Sequence, residues 1–175
     1  RSGGEGYDNG YFPTSETETN LVRNVCQAYH AEGKKVVVVL NVGGVCETAS
    51  WSNYPDAILL AWQPGQEGGY AIADLLKGTV NPSGKLPDSF PLKYDDNPSA
   101  KSFPGEPAEN PVNSFYSEGI YVGYRYYDSF NVPVAYEFGY GLSYTAFEYS
   151  GLKLSSSSFS GKMMVNVTVK NTGKV

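Results

Sequence analysis

Few residues in this sequence carry side chains able to do chemistry. Its single histidine, His30, and its two cysteines, Cys26 and Cys46, match no zinc-ligand spacing and make no disulfide framework. Catalysis would rest on carboxylates, tyrosines or backbone groups. Among the carboxylates Glu5 stands out. Glycines flank it in Arg1-Ser2-Gly3-Gly4-Glu5-Gly6, and without a Cβ they let the backbone come close to a ligand. By residue type alone the plainer reading of Glu5 is a solvated loop acid. Tyr7 follows the loop, a flat ring suited to stacking on a ligand or to ordinary packing. Asp8 reads as a turn cap or the partner of a cation.

The elements that hold this loop follow at once. Residues 1–13 are Gly-rich and polar, the texture of a loop. Ser15 with Glu18 three positions on is a capping-box pattern. Leu21, Val22, Val25, Cys26 and Tyr29 then recur at helical spacing, with Gly33 as a stop. Residues 36–40, Val-Val-Val-Val-Leu, are apolar and β-branched without alternation, the pattern of a parallel strand buried on both faces. Residues 57–62 predict a second such strand. Residues 66–77 predict an amphipathic helix with Ala71, Ile72, Leu75 and Leu76 as its stripe.

This alternation predicts an α/β fold with a parallel sheet. Ligands gather at strand carboxyl ends in such sheets, which is where Glu47 and Trp51 fall, although core packing is the expectation for Trp51. Gly43-Gly44 lacks the G-x-G-x-x-G spacing of a dinucleotide cradle. That absence also weakens a nucleotide-binding reading of the alternation. Cys26 and Cys46 read as small core hydrophobes. His30 sits near a helix end, where its charge is favoured.

From about residue 81 the texture changes to a proline-rich stretch without periodicity, read as an ordered linker or wrapping loop. Ten of the fifteen tyrosines fall between Tyr94 and Tyr149. From Phe147 the pattern turns β-like, with Val165, Val167 and Val169 on one face of a strand. The only glycosylation sequon, Asn166-Val167-Thr168, lies inside that strand. A net charge of −5 and a pI near 4.9, with no Lys/Arg-rich stretch, remove the footprint of a nucleic-acid binder. The longest apolar runs fall far short of the ~20 residues a membrane helix needs. No secretory leader opens the sequence, and Arg1 is not a natural start, so both ends of the 175 residues read as cut within a domain and the compartment stays open.

Six segments in order resemble glycoside hydrolase family 3, the β-glucosidase and β-xylosidase family. Residues 1–8 resemble its Arg-x-Ser-Gly-Glu-Gly acid/base loop, with Gly3 where Ser is usual. Residues 37–51 resemble the strand and turn that carry N-x-G-G, Glu and Trp. AILLAWQPGQEGG (57–69), PSGKLPDSFP (82–91), EGIYVGYRYYD (118–128) and FGYGLSYT (138–145) complete the set. The resemblance implies the second half of a parallel-sheet α/β sandwich over 1–95. A linker over 96–135 and the first strands of a fibronectin type III-like β-sandwich over 136–175 would follow.

It also implies an activity. The parent would be a retaining, exo-acting β-glycosidase, expected to be a β-glucosidase, with Glu5 as acid/base and Tyr7 stacking on the leaving-group sugar. The nucleophile would lie on a barrel domain of the same enzyme, so this chain alone is expected to be inactive. The implied partners are a β-linked oligosaccharide or glycoside and that barrel. No cofactor, metal, nucleic acid or membrane is implied. The alternative is a non-catalytic module that binds carbohydrate or protein through its Tyr-rich segment. Against a binding platform stands the expectation that these rings are glue, buried with their hydroxyls hydrogen-bonded.

Overall fold

The structure is a computed structural model and describes residues 12–107 and 110–174. It is a small mixed α/β structure that divides into two compact units. One holds the described residues up to Tyr70 together with Lys85–Tyr140, the other Ala71–Gly84 and the chain from Gly141 onward.

In the first unit, helix α1 (Glu16–Ala31) starts where the capping box predicts. The Ser15 hydroxyl accepts from the Glu18 amide, and the Glu18 carboxylate accepts in return from the Ser15 amide at 2.9 Å. Two orphan donors of the first turn are thereby satisfied. Strands β1 (Val37–Leu40) and β2 (Ala57–Leu60) pair in parallel, with Val37 opposite Ala57 and Leu40 opposite Leu60. One more bond, from the Ala61 amide to the Leu40 carbonyl, extends the ladder.

Burial of β1 on both faces is not what the structure has. Val37 is 41% exposed and Val39 37%, because this sheet has two strands where the pattern of the run is that of a strand inside a larger covered sheet. The start of the pair is held by Asp56. Its carboxylate takes the Lys35 ammonium at 2.7 Å, the Val36 amide at 2.8 Å and His30 Nε2 at 2.8 Å. His30 is thus engaged by a carboxylate beyond its own helix.

The proline-rich stretch is ordered by pairing. Strand β3 (Phe90–Pro91) runs antiparallel to β4 (Val134–Tyr136), with Phe90 opposite Tyr136. Helix α2 (Gly68–Leu76) forms within the run predicted as an amphipathic helix, and between β3 and β4 lies α3 (Tyr124–Phe130), a seven-residue helix that the tyrosine-rich sequence did not announce. It leaves through Asn131 at φ +52, a left-handed position that Asn tolerates. The buried apolar side chains of this unit are Cys26, Val42, Cys46, Trp51, Phe90 and Tyr127. Both cysteines lie inside that core.

The second unit is built on a hairpin. Strands β5 (Phe147–Leu154) and β6 (Val165–Asn171) pair antiparallel, with an irregularity between Ser150 and Lys153. The register pairs Tyr149 with Val169 and Leu154 with Val165. One extra residue on β5 therefore shifts its parity, putting Leu154 on the face of Phe147 and Tyr149. Gly151 at φ +64 takes the bend. The hairpin thus has one apolar face and one polar face, the latter holding Glu148, Ser150, Lys153, Asn166, Thr168 and Lys170. Asn81 anchors the segment leading into it. Its side chain exchanges hydrogen bonds with the Ser143 hydroxyl and accepts from the Tyr144 amide at 2.8 Å.

Candidate functional site

The carboxyl ends of β1 and β2 are where this fold concentrates its bonding between distant segments. Residues 12–14 cross the loop after β1. The Glu47 amide donates to the Phe12 carbonyl at 2.8 Å, and the Thr14 hydroxyl donates to the Glu47 carbonyl at 2.9 Å. The Trp51 indole N–H lies 3.0 Å from the Thr14 oxygen and 3.1 Å from the Glu47 carbonyl. Trp51 is 3% exposed, so its single donor is satisfied inside the core, as a buried indole requires. The Glu47 carboxylate is also committed, one oxygen to the Ser50 amide and the other to the Ser50 hydroxyl. The arrangement fastens Phe12 and Thr14 to the loop at the carboxyl end of β1.

Glu5 and Tyr7 themselves lie outside the described residues, as does Asp8. Trp51 packs in the core as its sequence context predicts. Neither cysteine is placed for nucleophilic work: Cys26 is 2% exposed, and burial, with Asp56 nearby, pushes its thiol above the ordinary value. A thiol held protonated is a poor nucleophile.

An aromatic block backs the site. Phe90 is 2% exposed; its ring meets Trp62 at 6.1 Å and Tyr136 at 6.1 Å edge-on. Four residues past Phe90, Tyr94 meets Phe12 at 6.1 Å. Burial holds the Tyr136 phenol above its usual pKa against a hydrogen bond with the Ser52 side chain, so the loop after β1 is tied to β4 as well. Burial also pushes Tyr127 up to about 12, with Asp96 and Tyr126 adding to it. Of these two, Tyr127, 5% exposed, is buried as the glue reading of residues 118–128 expects. Others are not: Tyr116 is 84% exposed and Tyr121 40%. Elsewhere, an open cleft of about 510 Å³ beside α3 and β4 includes Asp128, Asn131 and Glu137. It contains no residue from the strand carboxyl ends.

Three contributors here escaped the sequence reading. Thr14 bridges two segments that sequence leaves unconnected. Thr48 is 1% exposed with a hydroxyl that has no hydrogen-bond partner among the described residues. Trp62 takes a left-handed backbone at φ +50. The Pro64-Gly65 turn that follows Trp62 was the only local signal that the strand must bend sharply there. Among the described residues no group of three or more His, Cys, Asp or Glu is arranged to hold a metal ion. No helix among them is long and apolar enough to cross a membrane.

Comparison with known proteins gives a consistent result. The model of the glycosyl hydrolase family 3 C-terminal domain matches residues 1–124. An exo-α-(1→6)-L-arabinopyranosidase of Bifidobacterium breve is 42% identical over 171 residues, covering 98% of this chain and 21% of that protein. The thermostable β-glucosidase B of Acetivibrio thermocellus is 40% identical over 173 residues, covering 98% and 22%. Among solved structures, β-glucosidase 3B from Thermotoga neapolitana in complex with α-D-glucose superposes with a TM-score of 0.88 at 53% identity, covering 96% of this chain and 23% of that one. The chain spans about a fifth of the length of the curated relatives it matches.

Proposed function

The chain belongs to the glycosyl hydrolase family 3 C-terminal domain family, and from that premise we propose that it supplies the acid/base loop of a retaining, exo-acting β-glycosidase. The favoured activity is that of a β-glucosidase, with the nucleophile on a barrel domain of the same enzyme. One observation carries the reading. The residues leaving the Glu5 loop are fastened to the carboxyl end of a parallel strand, by the Glu47 amide on the Phe12 carbonyl and Thr14 on Glu47.

The chemistry follows from the two-carboxylate mechanism, in which the groups stand about 5–5.5 Å apart. Glu5 first donates its proton to the glycosidic oxygen as the nucleophile forms the glycosyl-enzyme. It then takes a proton from the incoming water, which cleaves that intermediate with net retention. A protonated carboxyl near neutrality requires a raised pKa, and loss of water around the loop on substrate binding supplies it. Tyr7, two residues on, stacks against the leaving-group sugar.

The remaining residues serve position. Residues 1–95 are the second half of an α/β sandwich, 96–135 a linker and 136–175 the opening of a fibronectin type III-like β-sandwich. The amphipathic hairpin β5–β6 supports the last assignment, since one face of it carries Phe147, Tyr149, Leu154 and three valines.

The test is Glu5→Gln in the complete enzyme that carries this chain, assayed on β-glucosides and, given the relatives, on α-L-arabinopyranosides. Substrates with poor leaving groups need the acid and should slow by about 10²–10⁴-fold. Activated aryl glycosides need it less in the glycosylation step and should slow far less. Equal loss on both classes removes Glu5 from the role, and product of inverted configuration removes the retaining mechanism.

A further inference from the structure

Two non-glycine residues among those described have positive φ, and they differ in kind. Asn131 at +52 closes a helix, a place where Asn is at home. Trp62 at +50 is a bulky ring in a region that costs an L-residue roughly 1–2 kcal/mol. Such residues cluster where strain serves a site. A glycine or asparagine would take the same backbone at less cost, so the ring must contribute something that outweighs the strain.

Its surroundings among the described residues return only part of that. Trp62 is half-buried, with a tilted contact to Phe90 at 6.1 Å. The mounting, by contrast, is stiff. Trp62 comes directly after Ala61, whose amide is the last bond of the parallel ladder. It is followed by Pro64 and by Gly65 at φ +72. The Gly68 amide closes this turn on the Gly65 carbonyl at 3.2 Å. The Gly68 backbone lies so near the Pro64 ring that a Cβ there would come within 2.5 Å of it. Behind the ring stands Phe90, braced by Tyr136. A flat ring fixed this way at the carboxyl end of a parallel pair is a stacking surface set in advance.

We propose that Trp62 is a specificity-determining residue whose ring stacks on the leaving-group moiety of the glycoside, a pyranose or aryl ring. This inference rests on the glycosidase reading above. The leaving-group side is assigned because the residues entering this end of the sheet are those that follow the acid/base loop. An apolar ring face is the chemistry selected: a sugar presents its axial C–H groups and an aryl group its π-face.

The experiment uses the complete enzyme with Trp62→Phe and Trp62→Asn. It compares a β-linked disaccharide with the methyl glycoside of the same terminal sugar. The readout is the ratio of kcat/KM between the two, with KM and kcat resolved separately. Trp62→Asn should lower the ratio roughly three- to tenfold, through KM for the disaccharide, and Trp62→Phe should restore most of it. A ratio that stays within error in both variants overturns the proposal and leaves the ring a structural one. So does an equal fall on both substrates. If Trp62→Asn does not fold, Trp62→Phe decides through a ratio shifted in the same direction by a smaller factor; no shift overturns the proposal. A wild-type enzyme that hydrolyses no glycoside is a failure of the glycosidase reading instead.

Discussion

The knot after β1 and the hairpin β5–β6 show two ways in which one chain spends its apolar residues. In the knot, Trp51 and Thr48 are almost completely buried, and Glu47, Thr14 and Ser50 are bonded to neighbours in the same unit. In the hairpin, the apolar face runs through Phe147, Tyr149, Leu154, Val165, Val167 and Val169, and each is between 47% and 70% exposed. The knot is complete within its own unit. The hairpin carries the pattern of a buried face without the burial. Alternation in sequence reports which side of a strand is meant to be covered; it does not report where the cover comes from.

Replacing Trp51 with Ala is the strongest way to break this contrast. It removes a fully buried indole and strands the acceptors on Thr14 and Glu47, so unfolding by urea should show a loss of about 3–5 kcal/mol. Val167→Ala on the hairpin face of the same isolated chain should stay within about 0.5 kcal/mol. Comparable losses would mean that the hairpin face is covered in solution after all.

The second prediction tests the hairpin's own logic. Gly151 holds the bulge in a left-handed conformation that Ala adopts at a cost of about 1–2 kcal/mol. Gly151→Ala should therefore weaken the hairpin by that amount, seen as faster amide exchange in β5 and β6 and weaker cross-strand contacts between Leu154 and Val165. Contacts that stay strong, with an unchanged register, would mean the irregularity does not depend on the glycine.

These two sites also show what could be read in advance. The start of α1 was legible because a capping box is a local device: Ser15 and Glu18 satisfy each other without help from the rest of the chain. The parallel pairing of β1 with β2 was legible from two apolar runs separated by a loop. The bulge had a signal, a lone glycine inside a strand pattern, that the alternation of the valines overshadowed. Strand β3 had none. Phe90 and Pro91 become a strand only because Tyr136 lies opposite, 46 residues later. Helix α3 reads poorly because its tyrosines and its Phe have weak helix propensity. At the candidate site, sequence pointed to Glu47 and Trp51, while Glu5 lies outside the described residues. Sequence could not supply Thr14, Thr48 or the backbone of Trp62, because each owes its importance to distant partners or to a dihedral angle.

Thr48 permits a gain instead of a loss. Its hydroxyl is buried without a partner among the described residues, and a stranded polar group of this kind is a standing cost. Thr48→Val keeps the branched shape and removes the oxygen, so stability should rise by about 1 kcal/mol, read as a higher midpoint in urea. A fall instead would mean that the hydroxyl is served by an internal water, which makes it part of the knot's bonding.

The smallest effect belongs to Asp56, at the opposite end of β1 from the knot. The Lys35 ammonium, the Val36 amide and His30 hold its carboxylate well below the usual range. A carboxyl whose folded pKa is depressed adds stability that is present in full above its unfolded value, about 3.9. That stability is lost as the pH falls from there towards the folded value. The thermal midpoint of the wild type should therefore decline between about pH 5 and pH 2 more steeply than that of Asp56→Asn, and the two curves should run parallel above pH 6. Because the bridging Lys35 side chain is 81% exposed, added salt should shrink the difference through screening. Curves that stay parallel through the acid range would show that the bracket at the start of the sheet contributes geometry without charge. The pairing of β1 with β2 would then rest on its backbone ladder and on the knot at its far end.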